Sequence, residues 1–249
     1  MQLHGEILDV AKLSSRRRDE MFALMKRYYD NMRRTEFDAD LDEKDWVIQV
    51  FDSATDVLCG FSTQMVFEVD VAGRLIRVLF SGDTIIDRAH WHHNPLAGLR
   101  GGLALRLIDR FAPQELHWHL LSKGYKTYRF LPIFFREFYP RFDQPTPPGV
   151  SKILNSLGKY KFPERYDSEA GIVRADAGGC RLKNRVGKIS RARLRDPHVR
   201  YFCERNPRHE SGDELCCVAP LTRDNFTAAA WKVIPSTADR CPELAGWRT

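Results

Sequence analysis

The chain has 249 residues, of which 43% are hydrophobic and 29% charged, and its formal net charge is +6 at pH 7. This composition is typical of a globular protein with one large domain or slightly more, and it allows a sizeable core. No run approaches the length of about 18 apolar residues that a membrane span needs, and Met1 to Glu6 lacks the layout of a secretory signal. We therefore expect a cytoplasmic protein without a membrane span.

The first predicted elements are a helix and three antiparallel strands. Apolar residues recur at three- and four-residue spacing over 16–31, which predicts a helix with Ser15 as a possible N-cap. Aromatic and β-branched residues predict strands over 46–51, 57–69 and 74–80. The short link 70–73 contains a glycine between two apolar runs, which favours a hairpin.

A helix, a strand and a second helix are predicted next. Asn94 and Pro95 are typical of a helix start, and apolar residues follow at helical spacing. The alternation over 115–121 indicates a strand, and 122–138 is predicted as a helix that Pro132 kinks or restarts.

The composition changes beyond residue 143, because the remainder is rich in Pro, Gly and Arg and has little periodicity. We therefore divide the chain into a first unit over 1–143 and an extension over 144–249, which we expect to pack on the first unit.

The order of these elements resembles the GNAT N-acyltransferase superfamily over residues 6–139. The resemblance implies an α/β (α+β) fold, with a mixed, mostly antiparallel central sheet flanked by helices and followed here by a basic C-terminal extension. It also implies an acyltransferase, in which an acyl-CoA or acyl-carrier-protein thioester lies where the fourth and fifth strands splay apart. An amine acceptor would attack the thioester directly.

The superfamily holds the donor's pyrophosphate with a signature of Arg or Gln, two residues, Gly, one residue, then Gly or Ala. The nearest string here, Arg100-Gly-Gly-Leu-Ala104, is one residue short. One placement puts the phosphate on a turn before the helix, with Arg100 reaching back to it; that turn consists of His92, His93, Asn94 and Leu96. A second placement forms a displaced glycine loop over 99–102, including Gly101 and Gly102. As a third alternative, the glycines serve close helix packing alone.

The reaction needs a group that accepts the amine's proton, a donor for the oxyanion and a proton for the leaving thiolate. Candidates at the expected edge of the sheet are Ser81, Asp83, Thr84, His117, His119, Tyr125 and Tyr128. We expect Asp83 to act as general base or amine anchor, the alternative being a turn residue. The resemblance implies that Tyr128 protonates the thiolate, the alternative being a core tyrosine. His117 and His119 lie on the same face of the predicted strand, because they are two residues apart. They either take part in acid/base chemistry or form a polar, solvent-facing surface.

Rival hypotheses use the C-terminal residues. Eight basic residues against one acid over 181–200 suit an acidic carrier protein, a nucleic acid or an aminoacyl-tRNA, and equally a solvated surface. Cys203, His209, Cys216 and Cys217 lack the paired spacing of a zinc site, so no metal is expected, and all six cysteines are expected to be reduced thiols. A non-catalytic GNAT-like binding protein is a further alternative.

Overall fold

A computed structural model of the chain describes residues 2–91, 95–183, 186 and 188–234. Its strands are β1 (Leu3–Asp9), β2 (Tyr29–Asp30), β3 (Trp46–Asp52), β4 (Leu58–Val71), β5 (Arg74–Ile86), β6 (Leu116–Ser122), β7 (Tyr166–Asp167), β8 (Ile172–Val173), β9 (Arg181–Leu182) and β10 (Glu214–Pro220). Its α-helices are α1 (Ser15–Tyr28), α2 (Arg34–Asp42), α3 (Leu96–Phe111), α4 (Tyr125–Tyr128), α5 (Phe130–Phe134), α6 (Pro148–Lys161), α7 (Pro197–Arg205) and α8 (Ala228–Val233).

Eight of these strands form one mixed sheet in the order β1-β3-β4-β5-β6-β10-β8-β7. Neighbouring strands are antiparallel except β5 and β6, which are parallel. A parallel pair needs a crossover connection, and α3 supplies it. The mixed, mostly antiparallel sheet that the sequence predicts is therefore confirmed.

Helices cover both faces of the sheet. On one face, α3, α4, α5, α7 and α8 pack over a cluster that includes Leu79 and Trp118, and we call this the α3 face. On the opposite face, α1 and α2 pack over Val47 and Phe61, and α6 packs over Val78. Adjacent strand residues such as Val78 and Leu79 enter different clusters because side chains alternate along a strand.

Several predicted boundaries are wrong by short distances. The N-cap of α1 is Ser14 instead of Ser15, since its hydroxyl accepts from the N–H of Arg17 at 3.2 Å. The hairpin forms, but β5 continues to Ile86, six residues beyond its expected end. The helix α3 begins at Leu96. β1 and α2 are additional elements that the sequence analysis did not predict.

The helix predicted over 122–138 is also wrong, because it is two short helices followed by extended chain. α4 ends at Tyr128, four residues before Pro132. A proline has no N–H to donate to the carbonyl four residues earlier, and its ring collides with that carbonyl. The interruption therefore falls where Pro132 requires it.

The C-terminal residues extend the central sheet. β10 pairs with β6 over six residues, from Leu215 opposite Ser122 to Pro220 opposite His117. β9 pairs with β2, near the N-terminal helices. The division near residue 143 into a first unit and an extension that packs on it stays a prediction.

Candidate functional site where β5 and β6 part

The parallel strands β5 and β6 separate at one point of the sheet. Their pairing runs from Arg77 opposite Leu116 to Ser81 opposite Leu120, and it ends there. Beyond Ser81, β5 continues to Ile86 along β4 alone. The two strand ends therefore form a wedge, to which β5 contributes Gly82, Asp83 and Thr84.

A β-bulge in β5 lies at the opening of this wedge. Ser62 of β4 pairs with Thr84 and Gln64 pairs with Ser81, so Gly82 and Asp83 together face the single residue Thr63. Such a bulge interrupts the ladder and redirects side chains. A Cβ atom on Gly82 would lie 2.6 Å from Thr63 Oγ1, which explains why a glycine occupies this position.

Asp83 is a half-buried carboxylate at this bulge. Within the described part of the chain, it forms no hydrogen bond and no ion pair within 4 Å. Burial raises the pKa of Asp83 to about 7, with the charge of Asp40 raising it further and the charges of Lys123 and Lys44 opposing the increase. The side chain thus exchanges a proton near neutral pH, as a general base does.

Residues from distant parts of the sequence interact with the charge of Asp83. Lys123 follows β6, and its Nζ lies 2.8 Å from a carboxylate oxygen of Glu214 and donates to the Cys180 carbonyl at 3.3 Å. Tyr29 of β2 completes this group, and its ring lies 5.7 Å from the Lys123 ammonium. Burial raises the pKa of Tyr29 and that of Cys180, so both stay protonated at neutral pH.

A buried chain of hydrogen bonds fixes the strands on the α3 face of the bulge. The Trp118 indole N–H donates to Ser81 Oγ at 2.8 Å, and the Ser81 hydroxyl donates to Gln64 Oε1 at 2.8 Å. Gln64 Nε2 donates to Ser62 Oγ at 2.8 Å. The Ser62 hydroxyl lies 2.7 Å from Thr84 Oγ1 and donates to it, since the Thr84 hydroxyl donates to the Gly82 carbonyl at 3.3 Å. Ser81 therefore serves to join β5 and β6 at their last paired position.

Arg100 of α3 joins this chain from above the sheet. Its Nη2 donates to Ser62 Oγ at 3.0 Å, and its guanidinium carbon lies 5.4 Å from the Trp118 ring and 5.1 Å from the Phe130 ring. Only 7% of the residue is exposed. Burial lowers the pKa of Arg100 to about 10, so it remains a cation at neutral pH.

A second opening, which we call the basic pocket, lies beside the connection from β5 to α3. It has a volume of about 390 Å³, and its walls are Arg27, Tyr28, Asp30, Arg88, Trp91, Lys183 and Val186. Lys126 lies over Trp91, with its Nζ 3.1 Å from the ring centroid. Burial and the cations Arg88 and Arg193 lower the pKa of Lys126 to about 8. This accumulation of positive charge suits a multiply charged anion.

Tyr128 and His119 occupy the core. The Tyr128 hydroxyl is buried and donates to the Pro140 carbonyl at 2.8 Å, and burial raises its pKa. His119 is also buried, its Nδ1 lies 3.0 Å from the Cys217 carbonyl, and burial lowers its pKa to about 4. The geometry thus favours structural roles for both residues. His117 is buried as well, so a solvent-facing histidine pair is wrong.

The alternatives for the phosphate site are partly resolved. Residues 99–102 lie inside α3, so the displaced glycine loop is wrong: the helix starts before these residues and incorporates them. A Cβ on Gly101 would lie 2.4 Å from Ile234, which supports close packing as the reason for this glycine. Leu96 is a buried core residue, and Gly102 is buried in the helix. His92, His93 and Asn94 lie outside the described residues.

Thiols, possible metal ligands and helix lengths can be described for the same part of the chain. Cys59, Cys180, Cys203, Cys216 and Cys217 are free thiols. Cys216 and Cys217 lie on opposite faces of β10, because side chains alternate along a strand. The described ranges contain no group of three or more His, Cys, Asp or Glu arranged to hold a metal ion. Within the same ranges, no helix has the length and apolar character that a bilayer span requires.

Sequence reasoning predicted Asp83 near this edge of the sheet and missed the residues that interact with its charge. Lys123 carries a local signal, since it is a charged residue directly after a strand that ends at the same sheet edge. Cys180 carries none, because it lies 97 positions after Asp83 and reaches the wedge only through β9. The partners of Ser81 likewise depend on strand register, which the sequence does not reveal.

The chain is similar to several solved structures. A probable N-acyltransferase from Enterococcus faecalis is 12% identical with a TM-score of 0.42, and the match covers 55% of this chain and 33% of that one. The N-myristoyltransferase of Saccharomyces cerevisiae, solved with myristoyl-CoA, is 12% identical with a TM-score of 0.39, covering 48% and 31%. A GNAT family N-acetyltransferase from Escherichia coli, solved with CoA, is 16% identical with a TM-score of 0.33, covering 49% and 65%.

At these identities the similarity concerns the fold alone, and the chain spans about a third of the length of the first two proteins. No protein-family model matches the chain, and no curated protein matches it. The strand order, the parallel β5–β6 pair and the α3 crossover give the chain a GNAT-like fold. The resemblance predicted from the element order is confirmed at that level.

Proposed function

We propose that the protein transfers an acyl group from a CoA thioester to an amine, at the wedge between β5 and β6. The observation that carries this proposal is the bulge at Gly82 and Asp83. It opens the parallel pair at the position where the GNAT resemblance implies the thioester, and it presents there a carboxylate with a pKa of about 7.

The donor's phosphates would bind in the basic pocket. Arg27, Arg88 and Lys183 outnumber the single acid Asp30 on its walls. The pocket adjoins the connection between β5 and α3, where the resemblance implies the pyrophosphate. Arg27 is paired with Asp87 at 2.9 Å, so we assign the larger share of phosphate binding to Arg88 and Lys183. We propose CoA as the donor instead of a carrier protein, since the volume and the excess of basic side chains in this pocket suit the diphosphate of CoA.

Asp83 would accept the amine's proton. As the amine nitrogen attacks the thioester carbon, a C–N bond forms, the proton passes to Asp83, and the C–S bond breaks with release of the CoA thiolate. Backbone N–H groups at the bulge lie outside the regular ladder and would stabilise the oxyanion. No protein group is assigned to protonate the thiolate, because the Tyr128 hydroxyl already donates to Pro140.

Two measurements on the full chain test the proposal. CoA and acetyl-CoA should each raise the midpoint of thermal unfolding, since a ligand at 100 times its dissociation constant stabilises the folded state by about 2.7 kcal/mol. Thiol release from acetyl-CoA should then depend on added amines. Absence of any midpoint shift at millimolar CoA contradicts a CoA donor, whereas a shift without turnover on any amine supports the non-catalytic binding protein.

A further inference from the structure

The segment 181–200 carries a positive charge that the described part of the chain does not neutralise. Its described cations are Arg181, Lys183, Lys188, Arg191, Arg193, Arg195 and Arg200, and all but Lys183 are exposed. We call the surface that they form the arginine surface. Within the described residues, none of these cations forms an ion pair within 4 Å. The single acid of the segment, Asp196, pairs instead with Arg129 Nε at 3.1 Å and accepts the His198 N–H at 2.9 Å.

The N-terminal helices show that unpaired cations are not a general property of this protein. Every lysine and arginine of residues 1–45 except Lys26 forms an ion pair with a carboxylate. Arg18 Nη1, for example, lies 2.6 Å from Asp42 Oδ1. The residues outside the described ranges contain two acids and three arginines, so their charges do not offset the arginine surface. The excess positive charge of 181–200 is therefore available to a partner.

Several cations of the arginine surface lie close to one another in the fold. The turn Arg193–Arg195 packs against α7, so it shares a surface with Arg200. Lys183 lines the basic pocket. Burial lowers the pKa of Lys126 to about 8, and the charges of two arginines, of which Arg193 belongs to the arginine surface, contribute to the decrease. Like charges thus accumulate from α7 to the rim of the basic pocket.

The arginine surface has the composition of a nucleic-acid interface. Protein–protein interfaces have an apolar core that holds large anchoring side chains, whereas protein–DNA interfaces are more polar and far more positive. Leu194, at 36% exposure, is the one exposed large apolar residue among the described residues of the segment. Binding to a membrane surface also requires a larger apolar face than this. Most of the cations here are arginines, and a planar guanidinium donates two parallel hydrogen bonds to a phosphate.

The shape of the surface favours a single strand over a duplex. Proteins that read a duplex insert a helix or a β-ribbon into a groove. Of α7, the helix at this surface, just Arg200, Glu204 and Arg205 are exposed, so it is packed too deeply to enter a groove. We propose that the arginine surface binds the phosphodiester backbone of a single nucleic-acid strand. This binding is independent of the acyl transfer proposed above, and it requires no contact with base edges.

Fluorescence anisotropy of a labelled oligouridylate of about 16 nucleotides, titrated with the full chain, tests the proposal. The logarithm of the binding constant should fall linearly with the logarithm of the salt concentration, with a slope of about 0.7 per phosphate contact. An oligocytidylate of the same length should bind equally well, whereas polyglutamate of equal charge should bind at least about tenfold more weakly. Failure of the oligouridylate to bind at low salt, or a strong preference for one base, overturns the proposal. Equal binding of polyglutamate overturns it in favour of an acidic protein partner.

Variants of the arginine surface locate the site. The triple variant Arg191→Gln, Arg195→Gln and Arg200→Gln should weaken oligouridylate binding about tenfold or more and reduce the salt slope by about 2. The control triple Arg110→Gln, Lys152→Gln and Lys159→Gln removes the same net charge from exposed positions outside 181–200 and should have a smaller effect. Equal losses in the two triples, or unchanged binding in the first, overturn the proposal.

The first triple also separates this proposal from the acyl transfer. Arg191, Arg195 and Arg200 do not line the basic pocket, so CoA should raise the unfolding midpoint of the triple as it does that of the wild type. Weakened oligouridylate binding with a retained CoA shift supports the arginine surface as a separate site. Loss of both, in a triple that unfolds at the wild-type midpoint, would place the oligouridylate in the basic pocket and contradict the proposal.

Discussion

Asp83 and Arg100 flank the same bulge in β5, and they differ in how a charged side chain tolerates burial. Burial disfavours the charged form of Asp83, so the carboxyl group keeps its proton to a higher pH and its pKa rises to about 7. Arg100 cannot do the same, because its pKa of about 10 leaves it a cation at neutral pH. A group that exchanges a proton is suited to acid/base chemistry, whereas a group with a fixed charge is suited to holding an anion.

The largest effect that separates the two residues is expected in catalysis. Asp83→Asn keeps the shape and removes the base, so turnover should fall by about 10² to 10⁴-fold while the unfolding midpoint does not decrease. Initial rates of thiol release and thermal unfolding of the same sample measure this. Asp224→Asn, at an exposed site, is the control. A matched loss of midpoint and activity would make Asp83 a structural turn residue.

Removal of the Ser62 hydroxyl, which accepts a hydrogen bond from Arg100, should lower the stability of the fold. Ser62→Ala leaves the buried Arg100 and Gln64 donors without their shared acceptor, so the free energy of unfolding should fall by about 1–3 kcal/mol. In the Arg100→Met background the same change should cost less, and denaturant unfolding of the four proteins gives the coupling. Ser168→Ala, at an exposed serine, is the control. Additive losses would show that Ser62 and Arg100 do not interact.

The pH dependence of stability distinguishes a titrating group from a fixed charge. An unfolded Asp has a pKa near 3.9, and the folded value for Asp83 is about 7. Between about pH 4 and 7 the folded protein binds more protons at this residue, so its stability falls as the pH rises through that window. The midpoint of Asp83→Asn minus that of the wild type should therefore increase up to about pH 7 and then stay constant. A difference between the two midpoints that does not change with pH would contradict the raised pKa of Asp83.

The smallest expected effect comes from Lys123. Its positive charge lowers the pKa of Asp83, so Lys123→Met should move the pH at half-maximal rate upward by about one unit. Lys12→Met, at an exposed lysine far along the chain, should leave the profile in place. A downward movement would mean that Lys123 does not act on Asp83 through its charge.

Sequence patterns predicted the parts of the fold that depend on neighbouring residues. The hairpin between β4 and β5 follows from two apolar runs joined at Ala72 and Gly73, which both adopt positive φ. The position of Asp83 at the wedge follows from a carboxylate near the end of a strand. The interruption near Pro132 was predicted from the proline itself, whereas the ends of the two short helices were not, because the apolar pattern continues beyond them.

Long-range pairings were beyond such patterns. β10 pairs with β6 although Leu215 and Ser122 lie 93 positions apart. A short apolar run does not indicate which strand it will pair with. The contacts of Ser81 with Gln64 and Trp118 likewise require the register of three strands. Arg100 was predicted to bind phosphate because it begins the string nearest to the superfamily's phosphate signature, but its side chain points between α3 and the sheet.

The pH profile of thiol release tests the central claim, that Asp83 is the base of an acyl transfer, most directly. The acceptor should be an aromatic amine that stays unprotonated throughout, so that only the enzyme titrates. We expect kcat/KM for acetyl-CoA to rise with unit slope and level off near pH 7, and Asp83→Asn to abolish this rise. A flat profile in the wild type, or the same rise in Asp83→Asn, would contradict the claim.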